Sequence, residues 1–168
     1  MKQKLTILLL LTSLFVAAQT KLDSLVFQKI NEYRIAKGLN ALVWSSSLYK
    51  AAQHHSEYLV KLNRQLKSDV TLNFIIGHFE NQKVDGILSM SFEERINKFY
   101  RNSNASECVA FFGMLKNNFE KGANSIIYIW KRSPQHNAIL LEPNSKFGVV
   151  SCDNFNNAGG ISTFVSAY

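Results

Sequence analysis

The sequence predicts a single α/β domain, a three-layer α-β-α sandwich around a small, mainly antiparallel central sheet. Apolar residues recur at helical spacing early and in the middle of the chain. Short extended runs rich in Val, Ile and Phe are interspersed with them, and two such runs close the chain. A sheet supplied by scattered strands needs helices on its faces to bury its apolar side chains. Length agrees, because 168 residues make one domain the default. With 46% hydrophobic and 18% charged residues, the chain can bury a full core. That balance excludes a disordered, collagen-like or multi-span membrane protein.

Met1 to Ala18 begins with Lys2 and Lys4, continues through an apolar run from Leu5 to Val16, and ends on Ala17-Ala18. This is the pattern of a secretory signal, with 19–168 as the single domain that follows. The run is too short to span about 30 Å of hydrocarbon comfortably, so no permanent membrane span is expected. Cleavage after Ala18 removes two of nineteen basic residues and lowers the formal charge from +7 to +5. The remaining cations are scattered, with no basic helix, so nucleic acid is not an expected partner. The expected location is secreted, periplasmic or cell envelope. Export permits a Cys108–Cys152 disulfide; two buried free thiols are the other reading.

Leu22, Leu25, Val26, Ile30 and Tyr33 form a first helical stripe, and Gly38 stands where that helix should stop. Ser45-Ser46-Ser47 supply caps for a second helix, whose stripe is Leu48, Ala51, Ala52, His55 and Leu59. Leu72–Phe79 reads as a strand, with Leu72, Phe74, Ile76 and His78 on one parity and Glu80 continuing it. Ser91 and Glu94 make a capping box before Ile96 and Phe99. Phe119, Ala123, Ile126, Ile127 and Trp130 mark a further helix. Strands are expected at Cys108–Phe112, Phe147–Cys152 and Ile161–Ala167, with Gly159-Gly160 as the turn of a closing hairpin. Ser133-Pro134 should end the helix and carry His136 into a loop.

Imidazoles with carboxylates serve either as ligands for zinc or another divalent cation, or as general acid–base pairs. His78, Glu107 and His136 are the candidates for either role, and no HExxH, CxxC or Gly-x-Ser-x-Gly motif accompanies them. A hydrogen-bonded structural role for each is the simpler alternative. His55, on an apolar stripe, is expected to be a satisfied core histidine, and His54, one position round, to be exposed.

Several segments in order resemble the CAP superfamily: cysteine-rich secretory proteins, antigen 5 and pathogenesis-related proteins, and particularly bacterial SCP-like extracellular members. Ile30-Asn31-Glu32-Tyr33-Arg34, Gly38-Leu39, Leu42 and Trp44 are similar to the family's opening signature. Leu48, Ala51-Ala52 and His55-Ser56 follow like its second helix. Gly77-His78 stands in the place of the first site histidine, and Ser106-Glu107-Cys108-Val109-Ala110 resembles the "G-E-N-I-A" segment. Trp130-Lys131-Arg132-Ser133-Pro134-Gln135-His136-Asn137 is similar to "W-x-x-S-P-G-H-R", and Phe147-Gly148-Val149-Val150 to the "I-G-V-G" strand. The resemblance implies a central cleft lined by His78, Glu107 and His136, able in some members to hold a divalent metal. It departs where a second glutamate commonly stands, because Ser133 occupies that place; Glu80 is a candidate substitute.

The expected function is therefore binding or interaction, through a His/Glu cleft that takes a divalent cation such as zinc. Its expected partner is an extracellular lipid or protein ligand. A metal-assisted, peptidase-like hydrolase with Glu107 and His136 as catalytic pair, and a lipid or sterol carrier, are the alternatives.

Overall fold

The computed structural model describes residues 20–66, 76–101, 104–113, 118–156 and 159–168. In chain order the elements are α1 (Lys21–Ala36), β1 (Val43–Trp44), α2 (Ser46–Leu66), α3 (Phe92–Phe99) and β2 (Ala105–Gly113). α4 (Phe119–Arg132), α5 (Pro134–Leu140), β3 (Phe147–Asn156) and β4 (Gly159–Ala167) complete them. The sheet order is β1-β3-β4-β2, with β1 parallel to β3 and the other pairs antiparallel.

Strand periodicity sorts the core into two halves. Cys108, Ala110 and Phe112 of β2 share a face with Val150, Cys152 and Phe164, and pack under α1 and α4 around Trp130. Val109, Val149, Ile161 and Val165 face the other way, toward α2 and α3. These are the three layers the sequence predicts. Glu107 shares parity with Val109, so it points to the α2–α3 side, and that placement positions the site.

The first helix explains its own signature. Thr20 and Asp23 form a capping box at its start, and Gly38 beyond its end has φ +76°. Asp23 is fully buried: it accepts from Tyr49 Oη at 2.9 Å and from the Cys152 backbone N–H at 2.7 Å. β1 pairs with β3 only at Phe147 and Gly148, so Asp23 satisfies a donor on the remaining β3 edge. Burial pushes its carboxyl up, against the lowering effect of those bonds. Arg34 is equally buried and donates to the carbonyls of Asn40, Leu140 and Glu142 at 2.9, 2.8 and 3.1 Å. Asn31 brackets Leu42 through both its amide oxygen and its amide nitrogen. The "N-x-x-R" pair thus ties α1 to the entry of β1 and to the end of α5.

The structure corrects several expectations. Residues 1–19 lie outside the described part, as do 72–75 of the expected strand; from Ile76 to Glu80 the chain bends at Gly77-His78 and forms no strand. Gly159 and Gly160 belong to β4 rather than to a turn. A Cβ on Gly160 would run into the Asp153 carbonyl, so close strand approach is what requires glycine there. Ser133 does end α4, but it also caps α5, with Pro134 at the first helical position, so His136 sits in a helical first turn and not in a loop. Cys108 and Cys152 are free. They pair with Phe164 and Ser162 of the intervening β4. Two strand spacings, about 10 Å, exceed the roughly 7 Å reach of a disulfide.

Candidate functional site

β2 supplies Glu107, α2 supplies His54 and His55, α3 supplies Arg95, α5 supplies His136, and the segment before α3 supplies His78 and Glu80. Arg95 is fully buried and joins Glu80 to Glu107 at the centre of a hydrogen-bonded network that His54, His55 and His78 extend. Its Nη1 donates to Glu80 Oε1 at 2.9 Å and to the Met90 carbonyl at 3.1 Å; its Nη2 donates to Glu107 Oε2 at 2.9 Å. One guanidinium therefore bridges two carboxylates drawn from different elements.

Both oxygens of Glu80 are engaged twice. Oε1 takes His55 Nδ1 at 2.9 Å and Arg95; Oε2 takes His54 Nε2 at 3.1 Å and the Met90 N–H at 2.9 Å. Burial works to raise this carboxyl, but hydrogen bonds from His54 and His55 and the charge of Arg95 outweigh it and hold it at about 2. Glu80 is thus not a substitute ligand at the cleft; it is an anchor beneath it. His55 is the satisfied core histidine expected, with Nε2 2.7 Å from the Gly77 carbonyl. His54 is not the exposed residue expected. Its side chain is 16% exposed, and its Nε2 is shared between Glu80 and the Leu88 carbonyl.

The structure brings His78, Glu107 and His136 into one region. His78 Nδ1 donates to Glu107 Oε1 at 2.9 Å, and the His136 ring lies 6.4 Å from that of His78, inclined at 64°. Burial opposes ionisation of Glu107, yet the His55 charge, the His78 hydrogen bond and Arg95 pull its carboxyl below the usual range. His136 is shifted down by burial and by His78, and its Nδ1 is buried without a hydrogen-bond partner among the described residues. Its backbone N–H donates to Ser133 Oγ, which assigns the serine to capping. A cavity of about 280 Å³ opens above this floor, lined by His78, Phe79, Ser91, Phe92, Glu93 and Glu107.

The three are linked in a chain and do not converge on a point. Among the described residues no group of three His, Cys, Asp or Glu side chains is spaced to hold a metal ion. Glu107 already bonds His78 through one oxygen and Arg95 through the other, and a divalent ion beside it would face the guanidinium. As arranged, the set does not fit a three-ligand metal centre. Glu107 instead orients His78, the part a carboxylate plays behind a working imidazole.

Arg95 and His54 are contributors that sequence reasoning missed, and Glu80 plays a different part from the one expected. Arg95 had a signal: it stands three residues after Phe92 and four before Phe99, on the apolar face of α3 beside Ile96. A charge on a buried stripe needs a partner of opposite sign.

No helix among the described residues is long and apolar enough to cross a membrane. None of the curated proteins matches the sequence. Among solved structures, the chain is similar to an outer surface protein from Borrelia burgdorferi, at 19% identity and a TM-score of 0.61, covering 86% of this chain and 90% of that one. It is also similar to an extracellular protein containing a SCP domain from Bacillus anthracis, at 14% identity and a TM-score of 0.56. A cysteine-rich secretory protein from Staphylococcus aureus follows at 14% identity and a TM-score of 0.51. The match covers 87% of this chain in both cases, but only 40% and 38% of those longer proteins. At these identities the likeness shows the fold. The model of the CAP, or cysteine-rich secretory protein, family matches residues 27–168, and the chain belongs to that family.

Proposed function

We propose that the chain is a CAP-domain binding protein of the cell exterior or envelope, whose ligand enters the cleft above Glu107. The observation that carries this reading is the preformed cavity. Its floor is a carboxylate fixed by Arg95 and His78, and its walls are His78, Phe79 and Phe92. A site held by buried ion pairs binds without having to order its own side chains first. The signal-like residues 1–18 and the outer-surface and extracellular descriptions of two structural relatives support the location.

A hydrolase is less well supported. A general base works best with a pKa near the operating pH. Glu107 is held low and has both oxygens engaged. Cys108 and Ser133, which contact His136, are not placed as nucleophiles: Cys108 Sγ reaches the His136 carbonyl, and Ser133 Oγ its amide.

The test is calorimetry on the purified protein. Zinc should give no stoichiometric heat, and an ester and peptide panel should show no turnover that Glu107→Gln abolishes. A one-to-one zinc signal lost in the His78→Ala, His136→Ala double variant would restore the metal centre. Turnover lost in Glu107→Gln would restore the enzyme.

A further inference from the structure

We infer that the cleft takes a small organic cation, an ammonium or guanidinium group held between the two phenylalanine rings. This rests on the reading of the cleft as a binding site and names the chemistry of its ligand. None of the cavity-lining residues is Lys or Arg, and the two ionisable acids among them are Glu93 and Glu107. The guanidinium of Arg95 is buried behind the floor and divided between Glu80 and Glu107. Exposed Glu93 puts a negative charge at the cavity's lip, and the Glu107 carboxylate lies in its floor.

The walls suit the same ligand. Phe79 is 78% exposed, a large apolar ring left in water at the cavity edge. Phe92 already bears one cation: the Arg95 guanidinium lies 5.8 Å from its ring centroid. Aromatic faces attract cations, and both rings line the cavity. His78 completes the set. Its Nδ1 is held by Glu107, which fixes the ring at the cavity wall.

An anion is the competing occupant, because the N-terminus of α3 borders the cavity and helix N-termini attract negative charge. That end is already complemented. Ser91 and Glu94 close a capping box, and Glu93 occupies the first turn. An incoming anion would meet Glu93 before any free N–H. At about 280 Å³ the cavity admits a head group or one side chain. The cation can belong to a small amine or to a Lys or Arg side chain of a peptide.

The experiment is a nuclear magnetic resonance titration of the purified protein. Its probes are choline, the neutral isostere 3,3-dimethyl-1-butanol and the anion 3,3-dimethylbutanoate. Acetyl-Gly-Arg-Gly-amide is compared with its citrulline counterpart. At least one cation should saturably shift His78, Phe79, Phe92 and Glu93, and bind at least about fivefold more tightly than its neutral isostere. Choline alone or the arginine peptide alone identifies the source, and either supports the inference. Phe79→Ala and Glu93→Gln alter exposed side chains and should each weaken the cation about three- to tenfold. Preference of the cleft for the neutral or anionic probe, or unchanged cation affinity in both variants, overturns the inference while leaving a binding cleft. If no probe shifts these residues, the binding reading falls with it.

Discussion

Replacing Arg95 with methionine tests the network that holds the cleft. The substitution keeps a long apolar stem but removes the guanidinium shared by Glu80 and Glu107. Glu107 would keep His78 as a hydrogen-bond partner, and Glu80 would keep His54, His55 and the Met90 N–H. Both carboxylates are buried, so neither regains water when the cation leaves. Removing one partner from a buried ion pair costs about 3–5 kcal/mol, chiefly through the charge left uncompensated. For a domain of this size that is a fall of roughly 6–20 °C in Tm. Urea and thermal unfolding followed by circular dichroism provide the readout. The penalty should shrink below about pH 4, where the stranded carboxylates take protons, and adding Glu107→Gln should recover part of it at pH 7. A loss under about 1 kcal/mol, or no recovery in the double variant, would refute the view that these carboxylates depend on Arg95.

Other expectations follow from the same contacts. Glu80 is held at about 2 against an ordinary 4.5, so its stabilisation is complete above the ordinary value and disappears as pH falls from about 4.5 toward 2. At about 1.4 kcal/mol per unit this is on the order of 3 kcal/mol, and Glu80→Gln should flatten that part of a stability–pH curve measured in urea. Burial raises both thiols, so a disulfide reagent should label neither Cys108 nor Cys152 in the native protein and two thiols after unfolding; reductant should leave Tm unchanged. Gly160→Ala places a Cβ against the Asp153 carbonyl and should destabilise by about 1–3 kcal/mol, measured by denaturant unfolding.

What the sequence made legible was whatever local chemistry determines. Helical periodicity located α1, α2 and α4, and the Ser91–Glu94 capping box marked the start of α3 within a residue. The resemblance gathered His78, Glu107 and His136, which no spacing rule could have done across 58 positions, 78 to 136. What stayed hidden depends on neighbours distant in sequence. Cys108 and Cys152 looked ready to pair until the order β1-β3-β4-β2 put a whole strand between them. The position of His54 round α2 points to solvent, because nothing local announces that Glu80 and the Leu88 carbonyl fold over it. Arg95 stands on the apolar face of α3, a signal that its neighbours Glu93 and Glu94 dilute by making the helix read as an ordinary charged one. Its burial is decided by two carboxylates, one before the helix and one on β2.

The most direct measurement is a pair of crystal structures of the purified protein, one grown with zinc and one without. Arg95 should bridge Glu80 and Glu107 in both, with His78 Nδ1 on Glu107 and any retained ligand density between Phe79 and Phe92. An ion displacing Arg95 from Glu107, or a cleft in which residues 78, 107 and 136 no longer meet, would contradict the account.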